Sequence, residues 1–532
     1  MEREYIVTLN KGVDYDSFWN EIENISTGDN FVPSRRVDIV NNRNGSLRSC
    51  HYSITSDEAK LLRQDPRIYS VEIPPEQRAD IKIGLRASQV GNFTKPINNG
   101  SGTLLNYGLR RCISSDNPYS TGTSATGNYD HTLDGTGVDI IIQDSGLQVD
   151  HPEFTDVNGS SRVQQINWYT ASGGTISGTQ SPNFYRDFDG HGTHCAGIAA
   201  GKTYGWAKNS RVYSMKVRGL EGSGDSNTGI SVTDTFDLIK LWHRNKPINP
   251  ATGVKRPTIV NMSWGYFSTF SNIDGGNYRG VNWTGNSRRT DYGMVGSTDG
   301  VNFYFGVRVS AVDADIEEMI DEGIHICVSA GNDFQKIDLP TGDDYNNYFN
   351  GLGFDSFGNL ENTTYFYHRG SSPYSLDAFI VGSTDSVVFD ATTEQKSTFS
   401  NCGAGVDLYA PGSRIVSSCS STNSYSNDEE YYLNSSFRQL NISGTSMAAP
   451  QVCGIGALHL QLNPKLSPAD LKSRILADAV SSVYSTGFSN DYTDSRSISN
   501  GIPRFLYQKY NSPKPYEISG GITATRVNVS LG

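Results

Sequence analysis

The chain is 532 residues long, too long for one ordinary domain, and carries 44 basic against 56 acidic side chains, a formal net charge of −12. A net-acidic surface repels nucleic acid and anionic lipid, so neither is expected as a partner, and no apolar run reaches the length that spans a bilayer. The seven cysteines (50, 112, 195, 327, 402, 419, 453) are odd in number, and Met-Glu-Arg-Glu-Tyr is no leader sequence; they read as free, mostly buried thiols of a reducing compartment, hence a cytoplasmic or particle-associated protein rather than a secreted one.

Residues 5–9 (Tyr-Ile-Val-Thr-Leu) read as a strand, and Tyr15, Phe18, Trp19 and Ile22 recur at helical spacing. Val37 and Ile39, then Tyr52 and Ile54, suggest two more strands. Thr55 with Glu58 forms a capping box before a helix carrying Ala59, Leu61 and Leu62, and 68–73 gives a last strand. The β-α-β-β-α-β order predicts a small α+β ferredoxin-like module over 1–76, ended at Pro74-Pro75. Residues 77–105, turn-rich with Asn98-Asn99-Gly100-Ser101-Gly102, are expected to be a linker or processing segment. Over 106–508, short buried strands (138–142, 212–217, 258–262, 324–328, 378–381) alternate with helical stretches such as 231–243 and 311–322. That pattern predicts an α/β fold of three layers, with a central, mostly parallel sheet. The stretches 266–306 and 333–375, rich in Gly, Asn, Ser, Asp and Tyr, interrupt it and are expected to be long loops, and 509–532 an irregular tail.

Three motifs carry chemistry: Asp144 closing the apolar run 138–143, His191 in Gly-His-Gly-Thr-His-Cys-Ala-Gly, and Ser446 in Gly-Thr-Ser-Met-Ala-Ala-Pro. A hydroxyl is a poor nucleophile at neutral pH, so it needs a base and a group to orient that base; Asp, His, Ser is one of the few chain orders in which those parts occur. Ser446 precedes a small-residue helical run, 447–462, with Pro450 expected in its first turn; a helix start offers unpaired amides for an oxyanion. Alone, Asp144 also reads as a turn residue and Asn332 as a cap. His194 and Cys195 suggest zinc but lack the i, i+4 histidine pair and a second ligand group, and His151 in Asp-His-Pro-Glu-Phe reads as a structural turn.

These motifs, with Asn261-Met262-Ser263-Trp264-Gly265, Ser329-Ala330-Gly331-Asn332, Ser397-Thr398-Phe399-Ser400-Asn401 and Ala410-Pro411-Gly412 in one order, resemble the subtilase family of serine peptidases, most closely its proteinase K branch. The resemblance implies a subtilisin-like fold, catalytic roles for Asp144, His191 and Ser446, and an oxyanion hole from Asn332 and the Ser446 amide. It further implies a substrate cleft flanked by Ser263, Trp264, Gly265 and by Ser329, Ala330, Gly331, with an extended peptide between them. Trp264 stands where the family commonly has leucine, as either a pocket-shaping residue or a packed surface aromatic. Cys195 matches a cysteine beneath the histidine, and Asp385 matches a structural calcium ligand; no cofactor is needed for the chemistry. The N-terminal module, especially 56–72, resembles the inhibitor-type propeptide of these enzymes. The expectation is an endopeptidase acting on proteins or peptides, made as a zymogen and self-cleaved within 74–105, with its propeptide as intramolecular inhibitor. The rival is a structural or interaction protein, such as a virion component, that keeps the fold with its cleft blocked.

Overall fold

The computed structural model describes residues 2–24, 31–85, 87–90, 106–115, 131–222, 228–270, 273–285, 292–294, 303–354, 360–385, 395–480 and 496–509. The N-terminal module runs β1 (Glu2–Leu9), α1 (Tyr15–Glu23), β2 (Asp38–Asn41), β3 (Ser49–Thr55), α2 (Ser56–Leu62) and β4 (Ile68–Glu72). Its sheet has the order β2-β3-β1-β4, every neighbour antiparallel. Asp14 caps α1, and Thr55 with Glu58 makes the reciprocal capping box of α2. Tyr5, Val7, Phe18, Ile22, Tyr52, Ile54 and Leu62 are among the buried side chains of its own core.

Residues 81–85 (β5) and 87–90 (β6) are strands, whereas the linker expected over 77–105 has no such order. Both dock on strands of the larger body, and it is those strand edges that hold them extended.

That body contains, in chain order, β7 (Asp139–Asp144), α3 (His191–Ala200), β8 (Arg211–Lys216), α4 (Val232–Asn245), β9 (Thr258–Met262), β10 (Trp264–Phe270), β11 (Gly275–Tyr278), β12 (Val281–Thr284) and β13 (Phe303–Gly306). There follow α5 (Ser310–Asp321), β14 (His325–Ser329), β15 (Tyr348–Phe354), β16 (Leu360–Phe366), β17 (Phe379–Thr384), β18 (Leu408–Pro411), β19 (Ile415–Cys419), β20 (Asn434–Gly444) and α6 (Thr445–Leu462). The central sheet is β18-β17-β14-β9-β7-β8, parallel throughout. Strands buried on both faces need continuous apolar runs, as in Ile140-Ile141-Ile142, and their crossovers carry helices.

The stretches expected as long loops instead build structure together: β12-β11-β15-β16 is an antiparallel sheet whose Phe349 packs with Phe270, Phe305 and Tyr367 in a small core of its own. β13 pairs with β10, joining this insertion to the central body.

The module sits on α4 and α5. The Glu72 carboxylate accepts from the amides of Ser310 (3.4 Å) and Ala311 (3.2 Å), and Glu76 from that of Val232 (3.0 Å), so two helix starts are capped by carboxylates from outside. Arg43 is buried between the helices, 2.6 Å from Asp237 and 2.7 Å from Asp315, with Lys240 bonded to Asp237 at 3.0 Å. Arg48 reaches Glu317 (2.8 Å) and Lys11 reaches Asp321 (2.6 Å), so basic side chains of the module meet acidic ones of α5.

Candidate active site

Asp144 ends β7, His191 opens α3 and Ser446 lies in the first turn of α6, so a strand end and two helix starts converge. The close approach of β7 and α3 requires Gly192: a Cβ there would stand 2.1 Å from the Gly146 carbonyl oxygen. His191 Nδ1 donates to both Asp144 oxygens, at 2.9 and 3.1 Å. Burial pulls the imidazole pKa down, but the Asp144 charge, with help from Cys195, holds it well above the ordinary value. Burial pushes the Cys195 thiol up, so near neutrality the sulfur is a thiol.

Ser446 belongs to the same site but is not bonded to the imidazole. Its hydroxyl donates to the Ser263 carbonyl at 3.0 Å, and His191 Nε2 has no hydrogen-bond partner among the described residues. Asp144, His191 and Ser446 are all fully buried.

Pro450 is not in the first turn, as expected, but is the sixth residue of α6. Having no N–H, it leaves the carbonyl of Ser446, four residues back, without its helical donor. The Ser263 hydroxyl (3.1 Å) and the Cys195 thiol (3.4 Å) donate to that oxygen instead. Ser263 thus grips Ser446 at two atoms, and Cys195 lies between Ser446 and His191, 3.8 Å from Nδ1.

Asn332 follows β14. Its side-chain oxygen accepts from both the amide and the hydroxyl of Thr445, each at 2.9 Å, while that hydroxyl accepts from the Gly331 amide at 3.1 Å. The acceptor end of Asn332 is thus committed beside Ser446.

The two segments expected to flank a peptide behave differently. Trp264 and Gly265 lie in β10, which pairs with β5: Trp264 opposite Leu85, Gly265 opposite Gly84 and Ser268 opposite Ile81. Ser329 instead pairs with Val381 in the central sheet, Ala330 bonds to Val381 and Asn401 and Gly331 to Thr445, and no ladder joins them to β5 among the described residues. Trp264 faces the apolar core while β5 lies along its strand. It is fully buried, with Tyr266 at 5.8 Å and Phe236 of α4 at 6.5 Å.

Other expected and distracting residues find plain roles. His194 shares its Nε2 proton between the Ile415 and Leu440 carbonyls, and burial drops its pKa to about 3. His151 donates to the Arg438 carbonyl and accepts from the Glu153 amide, a capped turn. Ligating atoms of Asp144, His191 and Cys195 come within 4.8 Å of one another, the one such group among the described residues, with His191 Nδ1–H already donating to Asp144. Asp385 has one buried carboxylate oxygen without a hydrogen-bond partner among the described residues, as a hard cation would need. Its other oxygen faces the Arg414 guanidinium at 3.6 Å, a positive charge where calcium would add a second, so the set does not fit that ion. All seven cysteines are buried and none is in a disulfide.

Asp187 was not foreseen. It accepts from the Ser145 hydroxyl, the Gly190 amide, and the amide and hydroxyl of Thr193, tying the turn after Asp144 to the start of α3. The signal was an acidic residue shortly ahead of a helix start.

The subtilase family profile matches residues 135–502, more than two thirds of the chain. The chain belongs to the subtilase family. This subtilase is 26% identical over 358 residues to a cuticle-degrading serine protease of Arthrobotrys oligospora, covering 67% of this chain and 60% of that one. It is 26% identical over 449 residues to an extracellular serine proteinase of a Thermus species, covering 84% and 74%. With subtilisin-like protease 3 of Saccharomyces cerevisiae it shares 24% over 514 residues, 94% and 79% of the two chains. Fervidolysin from Fervidobacterium pennivorans, a keratinolytic enzyme related to subtilisin, shares the fold with a TM-score of 0.50 at 15% identity, covering 96% of this subtilase and 61% of that chain.

Proposed function

We propose that this subtilase is a serine endopeptidase made with its own inhibitor attached, and that its first substrate is its own chain beside Arg86. One observation carries the reading: β5 lies on β10 as far as Leu85, and β6 resumes at Ala87 opposite Gly444, two residues before Ser446. The β10 ladder ends at Leu85 and the β20 ladder begins at Ala87, opposite a residue two positions ahead of Ser446, and that change of partner supports a cut between them. An extended strand added to an open edge is a usual way to hold a peptide.

Cleavage needs the Ser446 hydroxyl to turn from the Ser263 carbonyl to His191 Nε2. The oxygen then attacks the carbonyl carbon while Nε2 takes its proton, and Asp144 holds the ring and stabilises the imidazolium. Nε2 returns the proton to the departing amine, and water clears the acyl-enzyme by the same route. The developing oxyanion is met by the Ser446 amide and the Asn332 side chain. Replacing Asn332 by Leu is expected to lower kcat by about 10²–10³, about 2.7–4 kcal/mol, the loss associated with the equivalent donor in subtilisin, with KM little changed. Steady-state kinetics on a peptide amide measures both, and a rise in KM alone would assign Asn332 to binding.

In this reading the module stays as inhibitor after the cut, held by its ladder, its two caps and Arg43. Removing one partner of a buried ion pair strands the other charge, at about 3–5 kcal/mol. Arg43→Met should therefore weaken docking by roughly 100-fold or more: on gel filtration the cut module co-elutes with the wild-type body and separates from the variant.

The triad's burial under an attached module also favours the rival reading, a structural protein with a blocked cleft. The test is the chain's own N-terminus by mass spectrometry: a new start at Arg86 or Ala87 supports the zymogen, and an intact chain in active-site-competent protein supports the rival.

A further inference from the structure

We propose that Phe267 makes the enzyme select glycine at the substrate residue lying opposite Gly265, two positions before Arg86 in its own chain. The inference rests on the reading of β5 as a bound substrate segment.

In the β5–β10 ladder Gly84 faces Gly265 and Lys82 faces Phe267, so neither chain has a Cβ at the glycine pair and the Phe267 ring lies over it. A Cβ built on Gly84 would stand 2.8 Å from Cε1 of Phe267, with two further ring carbons at 3.6 and 3.8 Å. Carbon atoms of a side chain do not approach so closely without displacement. The backbone does not impose this glycine, since Gly84 is not among the residues with positive φ. What excludes a side chain is the ring.

The ring is also hindered from swinging away. On the far side of β10, β13 places Tyr304 opposite Thr269, and the Tyr304 ring stands edge-on to Phe267 with centroids 6.1 Å apart. The Tyr304 carbonyl is in turn held by Gln335 Nε2 at 3.0 Å. Phe267 is thus confined between the insertion and the peptide. A strand that the family's core does not need for its chemistry would by this means set a rule for the substrate.

The experiment uses self-processed enzyme freed of its module and two quenched fluorescent peptides spanning residues 81–90, one with the native Gly84 and one with Val there. The wild type should cut the glycine peptide with a kcat/KM roughly tenfold or more above the valine peptide, the scale of discrimination that a small change in side-chain volume gives. Phe267→Ala should reduce that ratio to about threefold or less by raising turnover of the valine peptide. Should the Ala variant not fold, Phe267→Leu and the precursor pair Gly84→Val and Gly84→Val/Phe267→Leu report the same preference through the rate of self-cleavage: the single substitution slows it and the double restores it. Equal cleavage of both peptides by the wild type, or a ratio unchanged by loss of the ring, overturns the inference. If casein is degraded but neither peptide is cut beside Arg86, the assigned register falls and this inference with it, leaving the peptidase reading intact. If casein is also untouched, both fall.

Discussion

Ser446→Ala will remove turnover of peptide amides almost entirely, by about 10⁶ in kcat, and will leave the N-terminal module covalently attached. The size of the effect follows from what the residue supplies. Without Oγ there is no acyl-enzyme, and what remains is the background from binding and the oxyanion donors. The fold should survive, because the interactions that fix this residue use its carbonyl, which accepts from Ser263 and Cys195, rather than its hydroxyl. Loss of the single hydroxyl bond to the Ser263 carbonyl costs on the order of 1 kcal/mol. Intact mass and a peptide assay check this together. Shedding of a fragment of about 86 residues by the Ala variant at the wild-type rate would show that another agent makes the cut.

Asp144→Asn is the second large effect, about 10⁴ in kcat, with a change of pH profile that a merely structural role would not produce. His191 must be neutral to act as base, so activity falls as pH drops through its pKa. In the wild type burial lowers that pKa, but Asp144 and Cys195 together outweigh it and raise the pKa, which places the acid limb of kcat/KM above the ordinary imidazole value of about 6.5. The amide removes the Asp144 part of that lift and leaves the burial, so the limb should move to lower pH even as the maximum collapses. It also presents an N–H where Nδ1–H needs an acceptor, which favours the wrong tautomer. A limb that stayed in place would mean that another group governs the titration.

The parts legible from sequence were those whose cause is local. Thr55 and Glu58 announce a helix start from three residues apart, and Ile140-Ile141-Ile142 announces a doubly covered strand. What escaped depends on partners far along the chain. Residues 275–277 and 348–350 pair across some seventy positions, so their Gly- and Asn-containing sequences pass for loops until they are placed together. Residues 81–85 and 87–90 carry little strand pattern of their own; the edges of β10 and β20 order them. Arg43 lies 194 and 272 residues from the carboxylates that bury it. Trp264, in a motif that draws the eye to the cleft, turns to the core because Phe236 and Tyr266 offer an apolar seat there. The Ser446 motif pointed to a nucleophile, but not to Pro450 freeing the Ser446 carbonyl for two side-chain donors.

Strands β5 and β6 lay nine residues of extended chain against the body, about 30 Å at some 3.3 Å per residue. A folded target seldom offers so long a ribbon with both its edges bare. Digestion of a native protein would then be throttled by how often it frays, and tightly knit domains would outlast loose ones whatever their composition.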